Sequence, residues 1–413
     1  MRILLGRAAA ARVQKIAARG VQFDEVEPQV RRIVSDLRRE GDRALRRYAE
    51  KWDGLDRKQP ILVAEADLAA AWKGASPDLK TALRQAAGNI RQFCEWQKPK
   101  EWKRARGGIS LGQLVRPLDS VGCYVPGGRY PLVSTLLMTV IPAQVAGVKN
   151  IRVVSPQPRS EVLAAAGMLG VKQFYRVGGA QAVAALAYGT ESVSPVDKIV
   201  GPGNVYVTAA KKVVSFDCAI DFLAGPTEVV ILSHDGEPEF IAADLVAQAE
   251  HDPAVLAVFI TTSKRLARAV AVSVRKSAAG NDVARAALSS YGAILLAASP
   301  QEALEWANRI APEHITVSQE MLPSIQNAGS VFVGDYSPQA AGDYASGPNH
   351  VLPTAGVARF RGGLSVLDFV KLITVQELSP HGLARIAPAV EYLAETEGLM
   401  AHRDSVRARS GHA

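Results

Sequence analysis

Four of the seven histidines in this 413-residue chain stand beside other groups able to bind a metal ion or move a proton. In Gln248-Ala249-Glu250-His251 a carboxamide and an imidazole lie three residues apart, late in a predicted helix, where that spacing puts both on one face. Asp343 and His350 bracket a loop rich in Gly, Ser, Pro and Asn, and His402 follows Glu397 by five residues near the C-terminus. Glu313-His314 follows Pro312 as an adjacent acid and imidazole. Imidazole nitrogen with carboxylate oxygen suits zinc or a similar divalent ion. Glutamine is an uncommon zinc ligand, and spacing alone does not single out Gln248. An imidazole that titrates near neutrality can accept a proton at physiological pH, so His314 reads as a general base. Glu313 reads as the group that orients it or activates water. By spacing alone His350 is a candidate ligand, whereas His234, His381 and His412 read as ordinary structural or surface residues.

Positioning these groups requires a scaffold, and the pattern supplies one. Residues 1 to about 100 read as helices, with Ser76-Pro77-Asp78 opening one that runs to about Trp96. Lys98 to Gly108 is a basic break. From Val121 the chain alternates short β-rich runs with Ala-rich stretches, first over 119–235 and again from Glu228 to Arg309. Such alternation implies parallel sheets. From Leu364 the remainder reads as helical. No Gly-x-Gly-x-x-Gly run follows a strand and no phosphate-loop motif occurs. Glycine pairs do close two predicted strands, in Tyr124-Val125-Pro126-Gly127-Gly128 and Gly178-Gly179-Ala180-Gln181, where a ligand can approach the backbone.

Composition bounds the function class. The chain is 48% hydrophobic and 21% charged, values of a globular protein. The most apolar stretch, Leu132 to Val148, is interrupted by Ser134, Thr135, Pro142 and Gln144 and reads as a buried helix; no run reaches the ~18 residues of a membrane span. A cytoplasmic protein is the expectation. Residues 1–110 carry 24 Lys and Arg against 14 Asp and Glu, and the remainder 24 against 26. The basic third alternates its charge signs, as solvated helix faces do, so nucleic acid is not the expected partner, nor is a membrane. Cys94, Cys123 and Cys218 are far apart and read as reduced, buried thiols.

At these residues the chain resembles the histidinol dehydrogenase family from end to end. The resemblance is carried by Tyr124-Val125-Pro126-Gly127-Gly128, Val177-Gly178-Gly179-Ala180-Gln181-Ala182, Gly201-Pro202-Gly203-Asn204 and Ala224-Gly225-Pro226-Thr227-Glu228. It continues through Gln248-Ala249-Glu250-His251, Pro312-Glu313-His314, Gly342-Asp343-Tyr344-Ala345-Ser346-Gly347, Asn349-His350-Val351-Leu352-Pro353-Thr354 and Ala401-His402. It implies an NAD-dependent, two-step oxidation of L-histidinol to L-histidine with one zinc per subunit. Gln248, His251, Asp343 and His402 would be the zinc ligands and Glu313 and His314 the proton acceptors. Tyr124, Gln181 and Asn204 would contact NAD; Thr227, Gln248, His251, His314, Asp343, Glu397 and His402 would surround the substrate. His350 would be a wall residue, not a ligand.

The implied fold is α/β, with two incomplete Rossmann-like parallel-sheet domains and helical extensions at both ends. Its expected parts are a helical extension over 1–20, a larger domain over 21–123 plus 227–364, a smaller NAD-side domain over 124–226, and a tail over 365–413. The tail would be exchanged with the partner subunit of a homodimer, bringing Glu397 and His402 into the partner's site. Thr227 stands where the family usually has serine, and Pro348 where it has threonine. Gly128-Arg129-Tyr130-Pro131 resembles a branch that oxidises sulfonated diols such as 2,3-dihydroxypropane-1-sulfonate; the added cation Arg129 would suit an anionic substrate. A third reading, a non-catalytic binding protein on the same fold, leaves Glu313-His314 and the four ligands without a purpose.

Overall fold

In the computed structural model, which describes residues 1–127 and 131–410, fifteen strands form three sheets. Arg129, Tyr130 and His412 lie outside the described residues. The strands in chain order begin with β1 (Arg2–Leu5), β2 (Leu62–Val63), β3 (Trp102–Arg106), β4 (Ile109–Pro117) and β5 (Ser120–Tyr124). Next come β6 (Asn150–Val154), β7 (Gln173–Tyr175), β8 (Lys198–Val200), β9 (Ala219–Ile220) and β10 (Glu228–Leu232). The last are β11 (Leu256–Thr261), β12 (Ala293–Leu296), β13 (His314–Val317), β14 (Ser330–Val333) and β15 (Val370–Leu378).

One six-stranded sheet has the order β2-β7-β6-β5-β8-β9, parallel except for the edge strand β2. The other has the order β1-β12-β11-β10-β13-β14 and is parallel throughout. Helices cover both faces, which is why β10 (Glu-Val-Val-Ile-Leu) and β11 (Leu-Ala-Val-Phe-Ile-Thr) are buried at every position and read as unbroken apolar runs. This is the expected α/β class with two Rossmann-like sheets.

The division of the chain between the sheets differs from the expectation. Residues 1–20 are not only helical: β1 pairs with β12, and the helix Gly6–Ala17 packs beside it through Ala9, Val13 and Ile16. Residues 21–123 group with 124–226, because β2 and β5 belong to the first of these sheets and the helices Glu27–Glu40 and Asp42–Trp52 pack on it through Val30, Ile33, Leu37 and Leu45. The third sheet, β15-β4-β3, replaces both the expected break at Lys98–Gly108 and the start of the expected helical tail. Gly107 and Gly108, with φ of 57° and 79°, turn β3 back into β4, and β15 adds along all nine residues of β4. Beyond it the tail is helical, over Pro380–Thr396 and Met400–Ser410.

Among the described residues no helix is long and apolar enough to cross a membrane. The apolar stretch forms the buried helix Val133–Ala146. Pro142 has no N–H for the carbonyl of Met138, and that carbonyl accepts instead from Asn349 Nδ2 at 2.6 Å. The exchange docks the loop that carries His350 onto this helix. All three cysteines are buried and free.

A second tie onto this region is ionic. Asp368 faces Lys198 at 3.0 Å and also pairs with Arg361. Burial alone would raise its pKa, but the two cations hold it below the ordinary carboxylate value. A depressed folded-state pKa gives stability that is present above the unfolded value and lost as pH falls through the folded one. Asp368→Asn is therefore expected to be less stable at neutral pH and to lose less stability below about pH 4. Urea midpoints at both pH values check this; parallel losses in the two proteins would contradict it.

Candidate active site

The acid–imidazole pair lies where the helix Pro300–Ile310 gives way to β13. Ala311 takes a left-handed conformation (φ 49°), the chain turns at Pro312, and Glu313 and His314 enter the sheet almost fully buried. Both are held by the main chain of Glu228 at the start of β10: its N–H donates to Glu313 Oε2 at 2.8 Å, and its carbonyl lies 3.2 Å from His314 Nδ1. A carbonyl only accepts, so Nδ1 carries a hydrogen and the neutral ring keeps its lone pair on Nε2. That Nε2 is buried without a hydrogen-bond partner and lies 3.6 Å from Asp343 Oδ1.

Burial pushes the Glu313 carboxyl up to about 8. Burial alone would lower His314, but Glu313 and Asp343 outweigh it and raise the imidazole to about 9. Two groups whose hold on protons the shared buried site strengthens together form an arrangement suited to proton transfer.

Asp343, on the short helix Gln339–Tyr344, accepts from Gln248 Nε2 at 3.1 Å. Gln248 is the last residue but one of the helix Pro238–Ala249 and is itself buried. That helix stops sooner than expected, so His251 stands exposed just past its end rather than on its face. His350 donates from Nδ1 to the carbonyl of Asp343 at 2.7 Å, with Nε2 3.4 Å from Thr135 Oγ1. It buttresses the main chain of Asp343. Thr227 is next to Glu228 at the rim, and its carbonyl accepts from Leu256 N–H. Among the described residues no three His, Cys, Asp or Glu groups converge as a ready metal site within one chain. Glu397 and His402 are exposed on the C-terminal helical pair, and no hydrogen bond or ion pair joins their side chains to this cluster among the described residues.

Tyr124, Gln181 and Asn204 meet elsewhere, in a cleft of about 460 Å³ also lined by Trp52, Asp53, Pro126, Gly179 and Tyr206. It opens at the carboxyl ends of β5 and β8, where the strand order reverses, as ligand crevices of open parallel sheets do. The helices Gly179–Tyr188 and Val205–Val214 begin at its wall, and side chains of the cleft hold their leading N–H groups. Tyr124 Oη accepts from Gly179 N–H at 3.0 Å, and Asn204 Oδ1 caps the second helix, leaving its NH₂ for a ligand. In the other sheet the acid–imidazole pair sits at the amino ends of β10 and β13, which no strand-end rule would find.

Three supports escaped the sequence reading. Asp53 accepts from Gly178 N–H and Gln181 Nε2 at 2.9 and 3.0 Å and pins one glycine turn. The buried Lys211–Asp221 pair pins the other, through the carbonyl and N–H of Gly201. Arg19 pairs with Glu228. Each acts on main-chain groups, so residue type and spacing carry no signal for it.

Two largely parallel sheets, one with a cleft at its switch point and one with a buried acid–imidazole pair, make an α/β fold with the makings of an enzyme site. The sequence pattern of the family described as histidinol dehydrogenase matches residues 17–410. The chain is 47% identical to the histidinol dehydrogenase of Methanothermobacter thermautotrophicus, over 96% of this chain and 97% of that protein. It is 48% identical to that of Haloarcula marismortui, over 95% of each. The crystal structure of histidinol dehydrogenase from Elizabethkingia anophelis superimposes with a TM-score of 0.93 at 35% identity, covering 99% of this chain and 98% of that one. The chain belongs to the histidinol dehydrogenase family.

Proposed function

We propose that the protein oxidises L-histidinol through L-histidinal to L-histidine, using NAD and zinc. The observation that carries this is His314: a buried imidazole, fixed through Nδ1 and unpartnered at Nε2, beside the acid Glu313 and the polar pair Gln248–Asp343.

Zinc fits the donor set. Asp343 offers a carboxylate oxygen, His251 an imidazole and Gln248 a carboxamide oxygen once its amide turns its oxygen toward Asp343's free side. His402 of the partner subunit would be the fourth ligand. The tail suits such an exchange: its two helices are tied to each other by Arg403 and Arg407 against Glu391 and Glu395, while Tyr392 and Leu393 stand 71% and 59% exposed. A homodimer whose tails cross would cover them and bring Glu397 to the substrate's ammonium group.

When bound, NAD takes a hydride from the reacting carbon in each step and zinc holds the substrate's nitrogens in place. In the first step His314 Nε2 removes the hydroxyl proton as the carbon loses hydride, giving the aldehyde. In the second, after His314 has passed that proton to solvent, water adds to the aldehyde carbon while Glu313 takes its proton. His314 then accepts the remaining hydroxyl proton as the second hydride leaves, and the product is a carboxylate. Each step releases one NADH. Gln181 and Asn204, held by Asp53 and by the helix cap, orient the nucleotide.

Incubation with L-histidinol, NAD and zinc should yield L-histidine, identified by chromatography, whereas 2,3-dihydroxypropane-1-sulfonate should be left unchanged. The opposite preference would move the protein to the sulfonated-diol branch that Arg129 suggests. His251→Asn is expected to lower bound zinc and raise the KM for histidinol together. Metal analysis showing full zinc in that variant would remove His251 from the ligand set.

A further inference from the structure

Arg19 follows the first helix by two residues and reaches the amino end of β10, where its guanidinium forms a two-pronged ion pair with Glu228. Only 17% of the arginine side chain and 5% of the glutamate side chain are exposed. The guanidinium does more than neutralise a buried carboxylate. Its Nη1 donates to the carbonyls of Ile16 and Ile310 at 2.8 Å each, and Nη2 to Ala311 at 3.3 Å. Ile310 and Ala311 are the residues from which the chain turns into Pro312-Glu313-His314, and Ala311 holds a left-handed conformation that alanine seldom takes without support. On the other side, the main chain of Glu228 holds Glu313 by its N–H and His314 by its carbonyl. Glu228 Oε1 also accepts from Ala355 N–H at 2.9 Å, just beyond the loop that bears Asp343 and His350. One ion pair therefore grips both segments that deliver the acid–imidazole pair.

A buried ion pair is weak support for stability, since desolvation opposes its Coulombic gain. Its distinctive property is geometry: a planar fork on a carboxylate fixes distance and orientation together. We propose that Arg19 and Glu228 are positioning residues for Glu313 and His314 in the oxidation proposed above, on which this assignment rests for its kinetic readout.

The test uses full-length, zinc-loaded protein carrying Arg19→Lys, which keeps the charge and loses the fork, or Glu228→Gln, which keeps the main-chain contacts and loses the charge. The second variant decides the matter where the first does not fold. The expected result is a fall in kcat of about 10- to 100-fold, the scale of an ångström's misplacement. Alcohol and aldehyde oxidation fall alike, KM for NAD and zinc content stay unchanged, and the Glu228 amide, which donates to Glu313, exchanges its hydrogen faster. A lowered melting temperature with unchanged kcat would overturn the proposal and leave the pair a mere strut, as would a lowered kcat with unaltered exchange at Glu228. Wild-type protein that forms no NADH from histidinol would sink the functional reading instead, and the exchange rate would then decide the positioning claim alone.

Discussion

Replacing His314 with asparagine is expected to lower kcat for both oxidations by about 10²- to 10⁴-fold, the range that a positioned general base contributes. The substitution is chosen for what it leaves in place. The asparagine amide nitrogen stands near the position of Nδ1 and can still donate to the Glu228 carbonyl, so the strand start keeps its hydrogen bond. Only Nε2 is removed, the atom that is buried without a partner and faces Asp343. Steady-state rates with histidinol and with histidinal, alongside a thermal melt, separate chemistry from folding. A loss under tenfold in folded, zinc-loaded protein would place the base elsewhere.

Glu313→Gln should divide the two half-reactions. The glutamine amide oxygen can still accept from the Glu228 N–H, so the contact that seats this side chain survives. What disappears is a carboxylate able to take a proton from water. Burial holds that carboxyl at about 8, close enough to neutrality for it to exchange protons during turnover. Aldehyde oxidation, which needs water to be activated, should fall by about 10²-fold or more. Alcohol oxidation, which needs only His314, should fall far less. Equal losses in both would show that Glu313 orients His314 and does nothing to water.

The sequence made some of this legible, for identifiable reasons. β10, β11 and β12 are short apolar runs separated by helices, and burial on both faces writes that pattern directly into residue types. β3 offers no such mark: Trp-Lys-Arg-Ala-Arg is exposed at all five positions and is a strand only because β4 lies beside it. β15 pairs with β4 across more than 250 residues of chain, a partnership no local window contains.

The site divides in the same way. Glu313, His314 and Asp343 announce themselves as titratable groups in suggestive company. Their convergence with Gln248 depends on one strand beginning where two helices end, at the amino edge of one sheet. Arg19, Asp53 and Asn349 were invisible because they act on carbonyls and N–H groups, which every residue has. For His402 and Glu397, exposed on the C-terminal helices, local spacing offers no chemical role.

The central claim is that one buried pair serves two successive oxidations of one substrate. The most direct measurement is the number of NADH formed per L-histidinol consumed to completion, with zinc present and NAD in excess. The account predicts about two, one cofactor for each hydride, with L-histidine as the sole product. A value of about one, with histidinal accumulating, would contradict it by showing that the site stops at the aldehyde.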